Sequence, residues 1–139
     1  MAGASLANII TVVRDARHGY DADMIAPAPA HALALFISQG QFNSSAFIDL
    51  EVQIIGDAAK GAALFQNQCA ACHGFDGQAM NFRSEESPEY LGTVAAEDPA
   101  ELLHKIRHGN PGAVMPAYLV FGMDIITDIA AYAQTLPAE

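Results

Sequence analysis

Cys69 and Cys72 are the only two cysteines of this 139-residue chain, and His73 follows the second one directly. Cys-x-x-Cys-His is a spacing that can stitch a porphyrin to a polypeptide. Two thiols about one turn apart can each add across one vinyl group of the same macrocycle. The imidazole beside the second thiol is then held under the iron, where it can coordinate. Cys-x-x-Cys also occurs in zinc sites and in redox disulfides. A zinc site takes four ligands, and the chain holds no second cysteine pair.

An electron-carrying haem iron takes a second axial ligand, and a methionine sulfur there raises its reduction potential. Met115 lies 42 residues after His73 within Gly109-Asn110-Pro111-Gly112-Ala113-Val114-Met115-Pro116-Ala117-Tyr118. The turn residues let the chain pass the far side of a macrocycle, and Pro116 biases Met115 toward extended backbone. Met80 follows His73 by only seven residues, too few to reach the opposite face. Met123 abuts a helix start and reads as packing, and Met24 lies far upstream. His104 is the main rival to Met115, followed by His108, His18 and His31.

Arg107 is a candidate donor to a haem propionate, with a solvated ion pair as the ordinary alternative. Leu64, Phe65, Leu91, Val94, Leu103, Ile106 and Val114 would keep water from the iron. Tyr90, Tyr118 and Phe82 read as pocket or core aromatics, and Glu85 and Glu86 as a solvated loop. The expected cofactor is one covalent haem c, with iron on His73 and Met115.

Helical elements must position these groups. Asp57 caps a predicted helix running to about Gln68, which delivers the chain into Cys69. Asp98-Pro99-Ala100-Glu101 is a strong start signal, combining a cap, a proline at the first helical position and a glutamate three after the cap. That helix carries Leu102, Leu103 and Ile106 and ends at Gly109. A last helix is predicted from Asp124 to Pro137, with Ile125, Ile126, Ile129, Ala130, Tyr132, Ala133 and Leu136 on a broad apolar face. The stretch from Gly74 to Thr93 reads as loop. No strand pattern of convincing length occurs, so the predicted class is all-α.

With these features together, residues 57 to 137 resemble a class I cytochrome c domain. The resemblance rests on Gly61 and Phe65, the Cys69-to-Gly74 run, Met115-Pro116 and Tyr132. It implies that the first and last helices cross, with Gly61 allowing close approach and Phe65 and Tyr132 packing beside it. Members commonly use a proline carbonyl just after the haem histidine to accept the ring's other N–H and set its tautomer. Here the nearest proline is Pro88, in a loop of different pattern.

Residues 1–56 are less legible. Ser5 to Ala16 has a helical apolar period. Pro27-Ala28-Pro29-Ala30 breaks the chain before a predicted helix from Ala30 to Gln39, ended by Gly40. A short third helix is predicted after Asn43 or Ser44, through Phe47, Ile48 and Leu50. The segment reads as a helical extension or as a degenerate, haem-less half-domain, with residues 57–139 forming the cytochrome c domain. Its exposed apolar faces would favour a homodimer.

Sixteen acidic residues against six basic ones give a net charge of −10, which excludes nucleic acid as a partner. A redox donor and acceptor with a basic docking patch fit that charge. Residues are 52% apolar and 16% charged, as in a packed globular chain, and no apolar run approaches a membrane span. The start Met1-Ala2-Gly3-Ala4-Ser5 lacks a secretory pattern. Covalent haem attachment in bacteria is extracytoplasmic, so an upstream signal and a periplasmic location are expected. The expected role is a one-electron carrier and not an enzyme. The alternatives are a subunit of a redox enzyme complex or a haem protein with an open sixth site.

Overall fold

The structure is a computed structural model that describes residues 5–16, 18–40, 42–110 and 113–138. Pro111 and Gly112 of the predicted methionine loop, and residues 1–4, lie outside the described residues. Among those described there are seven α-helices and no strand, so the chain is all-α. It divides into two compact units, Met1–Asn43 and Ser44–Glu139.

In the first unit, α1 (Leu6–Arg14) starts at Ser5, whose Oγ accepts the Asn8 N–H at 3.2 Å. The helix ends two residues before the predicted Ala16. Arg14 reaches past that end and donates to the carbonyls of Tyr20, Asp21 and Ile25. Helix α2 (Pro27–Leu35) begins three residues before the predicted Ala30. Pro27 and Pro29 fall in its first turn, where a missing N–H costs nothing, so they start the helix instead of breaking it. The end of the predicted helix is a π-helical turn, Phe36–Gly40. Ile9, Ala30 and Ala34 are the buried residues of these helices.

The second unit holds α3 (Ala58–Gln68), the single turn α4 (Ala70–His73), α5 (Leu91–Glu97), α6 (Pro99–His108) and α7 (Met123–Ala133). Helix α3 crosses α7 at very close range. A Cβ at Gly61 would lie 1.8 Å from the Asp128 carbonyl oxygen, and one at Gly56 2.3 Å from that of Thr127. Beside this contact the Phe65 and Tyr132 rings pack with centroids 5.3 Å apart. The predicted crossing is therefore present, with Gly61 at its centre. Asp57 holds it from the side: its carboxylate caps α3 through Ala59 and Lys60, and its own N–H donates to Asp128 Oδ1 at 2.7 Å.

Residues 44–56 pack with this unit. A 3₁₀ turn at Ser44–Phe47 leads into a loop closed by an antiparallel bridge between Ile48 and Ile54. Asp49 accepts the N–H groups of Glu51 and Gln53, which turns the chain and leaves Leu50 at an exposed tip, not in the predicted third helix. Gln134 clasps the loop to the unit. It accepts the Ile54 N–H at 2.8 Å and donates to the carbonyls of Val52 and Ala95.

In the second unit, α5 and α7 also differ from expectation. Part of the predicted 74–93 loop is the start of α5. That helix is short, has no side-chain cap and carries Gly92, all of which weaken its sequence signal. Gly92 is needed there because a Cβ would lie 2.2 Å from the Pro137 carbonyl. Helix α7 ends at Ala133 and not at Pro137, since the Thr135 and Leu136 N–H groups bond three residues back, to the Tyr132 and Ala133 carbonyls, and tighten the chain into a turn. Leu136 is still buried, in the turn that follows.

Candidate functional site

Helix α3 ends at Gln68, and the chain turns at Cys69 into α4. The Cys72 and His73 N–H groups both donate to the Cys69 carbonyl, at 3.1 and 3.0 Å, so both thiols and the imidazole belong to one compact turn. Cys69 is half-buried, Cys72 is exposed, and neither is in a disulfide. Gly74, with φ +80°, then turns the chain sharply away.

Burial, and the neighbouring Cys72, push the Cys69 thiol up to about 11. That is the reverse of a redox dithiol, which needs a lowered thiol pKa. Burial also lowers the pKa of His73, so its imidazole is neutral at pH 7 and carries a free lone pair. Among the described residues no cluster of three or more His, Cys, Asp or Glu could hold a metal ion.

Phe65, Cys69, His73 and Met115 line one apolar cleft. Leu91 of α5, Leu102 and Ile106 of α6, and Ile129 and Ala133 of α7 complete its walls. Met115 is the one methionine lining this cleft. Met80 sits in the loop after α4, and Met123 accepts a hydrogen bond from Arg107 Nη1 at 3.3 Å.

Three contacts hold the Met115 loop in place. Gly109 (φ +72°) lies directly beneath it, where a Cβ would come within 2.6 Å of the Met115 carbonyl oxygen. The Tyr118 N–H donates to the Ile106 carbonyl at 3.0 Å, returning the chain to α6. The Tyr118 hydroxyl donates to the Gln68 carbonyl at 3.3 Å, tying the loop to the residue before Cys69. Burial, and the thiols of Cys69 and Cys72, raise the Tyr118 pKa, so it stays a donor.

His104, the expected rival of Met115, is exposed on α6. It lies two residues from Leu102 and two from Ile106, on the side of the helix away from the cleft. His108 shares that outer face, while exposed His18 and His31 belong to the first unit. Arg107 does not line the cleft; its half-buried side chain reaches Met123 instead.

Of the expected apolar surroundings, Phe65, Leu91 and Ile106 line the cleft. Val114 does not: it is fully exposed at the loop tip. Leu103 is fully buried in the core, and Leu102 takes the place on the cleft because it shares a face with Ile106 one turn on.

Pro88 supplies no partner for His73. The buried Nδ1 of His73 has no hydrogen-bond partner among the described residues, and its ring packs against Phe82 with centroids 6.1 Å apart. Phe82 sits in a well-knit loop. Asn81 Oδ1 accepts the Arg83 and Glu89 N–H groups, and Arg83 pairs with Glu89 at 2.9 Å.

A covalently attached haem fits these residues. The two thiols are free, the histidine carries a neutral imidazole with an unpartnered nitrogen, and a soft thioether lines the same apolar cleft. No curated protein and no solved structure matches the chain. Residues 56–132 match the profile of the family described as "Cytochrome C oxidase, cbb3-type, subunit III". No helix among the described residues is long and apolar enough to cross a membrane. The thiol pair, His73, Met115 and nearly all of the crossed helices fall inside the matched span. The chain thus belongs to the cbb3-type cytochrome c oxidase subunit III family of class I c-type cytochrome domains, whose covalent haem c serves electron transfer.

Proposed function

We propose that this protein is a periplasmic one-electron carrier, with a single haem c joined to Cys69 and Cys72 and its iron held between His73 and Met115. The observation that carries the reading is the shared cleft, with the imidazole and the thioether in its lining and aliphatic walls between them. The haem iron supplies the chemistry by taking up and releasing one electron. The chain's own residues fix it and set its potential. Two thioethers prevent loss and tilt of the macrocycle, and the α4 turn aims the imidazole. Apolar Phe65, Leu102, Ile106 and Ile129 exclude water, which together with the thioether favours the less charged ferrous state.

Exposed apolar side chains beside Met115, namely Val114, Leu119, Val120 and Phe121, support docking at this edge. The chain's net charge of −10 fits donors and acceptors with basic docking patches. In the first unit, exposed Met24, Leu33 and Phe36 support homodimer formation. Arg107 is proposed to turn from Met123 to a haem propionate.

The spectrum of the loaded protein tests the ligand set. Low-spin iron in both oxidation states, with a weak far-red band when oxidised, is expected. High-spin iron that binds CO or cyanide rapidly would mean an open sixth site. The family description favours a second reading, in which the domain serves as the electron-transfer subunit of an oxidase complex. Co-purification with a membrane-bound oxidase would select that reading over a free carrier.

A further inference from the structure

Away from the haem cleft, α6 presents a second group of potential metal ligands. His104 and His108 lie four residues apart, so both project from one face of the helix. Their rings approach to 4.7 Å between centroids, with planes tilted by 42°. Two imidazole nitrogens bound to one transition-metal ion stand about 3 Å apart, each about 2.1 Å from the ion. Rings this close reach that geometry by small side-chain rotations. Two histidines at this spacing on a helix is a known way of holding zinc.

Burial, then the charges of His104 and Arg107, lower the pKa of His108, which leaves its imidazole neutral for coordination. Lys105 is held by Glu101 at 2.9 Å, on the preceding turn. Arg107 directs Nη1 to Met123 Sδ. His108 ends the helix, where the macrodipole is negative. Both imidazoles are exposed, so water can fill the remaining coordination positions.

We propose that His104 and His108 form a surface chelate for a divalent transition-metal ion of the zinc, copper and nickel class. Imidazole suits these metals better than it suits calcium or magnesium. An ion held here clamps the last turn of α6. The Met115 loop is attached to that turn through Gly109 and the Ile106 carbonyl.

The test is calorimetric titration of the haem-loaded full chain with ZnCl₂. One site is expected, weakened at least about tenfold in either H104Q or H108Q and lost in the double variant; even an outer-shell partner of a metal ligand costs at least that much. The H18Q/H31Q variant should bind as the parent does. On the reduced parent chain, zinc should shift the ring resonances of His104 and His108 and of no other histidine, a readout that needs no variant. The proposal is overturned if the parent binds no zinc, if the H104Q/H108Q chain keeps the parent's affinity, or if other histidines shift instead. It does not depend on Met115 being an iron ligand, so either reading can fail alone.

Discussion

Met115 reaches the cleft because Gly109 leaves room beneath it and Tyr118 ties its loop to both α6 and Gln68. Met115→Ala should abolish the far-red band of the oxidised protein and lower its reduction potential, as read by redox titration. Met80→Ala and Met123→Ala should leave both unchanged; a band that survives in Met115→Ala would refute the assignment. Tyr118→Phe removes one hydroxyl bond and should cost about 1 kcal/mol in chemical denaturation. At this scale the sequence was most legible where chemistry is local. The thiols, His73 and the Met115-Pro116 pair announce themselves within a few residues. The Tyr118–Gln68 bond joins residues 50 apart and has no local signature. The same is true of Leu102, whose place on the cleft wall depends on how α6 is rotated against its neighbours.

The α3–α7 crossing carries the heaviest load among the elements. Gly61→Ala would gain about 1 kcal/mol of helix propensity. It would also push a methyl into the Asp128 carbonyl, which costs about 3 kcal/mol in a tight core. A net loss of about 2 kcal/mol lowers Tm by roughly 10 °C, as thermal denaturation of the loaded protein would record. An unchanged Tm would mean that the helices do not meet at this point.

Asp57 gives the same crossing a pH dependence. The Lys60 backbone N–H and ammonium hold its carboxyl below the ordinary value of 3.8. The folded state therefore favours the carboxylate, so this stability is present above pH 3.8 and fades as pH falls through the lowered folded value. Asp57→Ala should lower Tm at pH 7, and by less once the parent's carboxyl is protonated. The starts of the helices with side-chain caps, α1, α3 and α6, were readable to within a residue, because their start signals are local. Helix α5 has no such cap, and the prolines of α2 act as starters only once the helix direction is known.

Over the whole molecule, the acidic surface should make association salt-dependent. Electron exchange with a basic partner should slow steeply as ionic strength rises and the Debye length falls from about 10 Å at 0.1 M to about 3 Å at 1 M. Stopped-flow mixing at several salt concentrations measures this, and a flat profile would remove charge as the docking force. The class of the fold was legible from capped helices and the absence of strand patterns. The packing of residues 44–56 with the second unit was not, because Gln134 makes that clasp from about 80 residues away. The central claim is one haem fixed by two thioethers in the cleft of the second unit. Intact-mass measurement after an acid-acetone wash tests it most directly. The parent chain should retain the mass of one haem, and the Cys69→Ala/Cys72→Ala chain none. A washed parent with the mass of bare polypeptide would contradict the account.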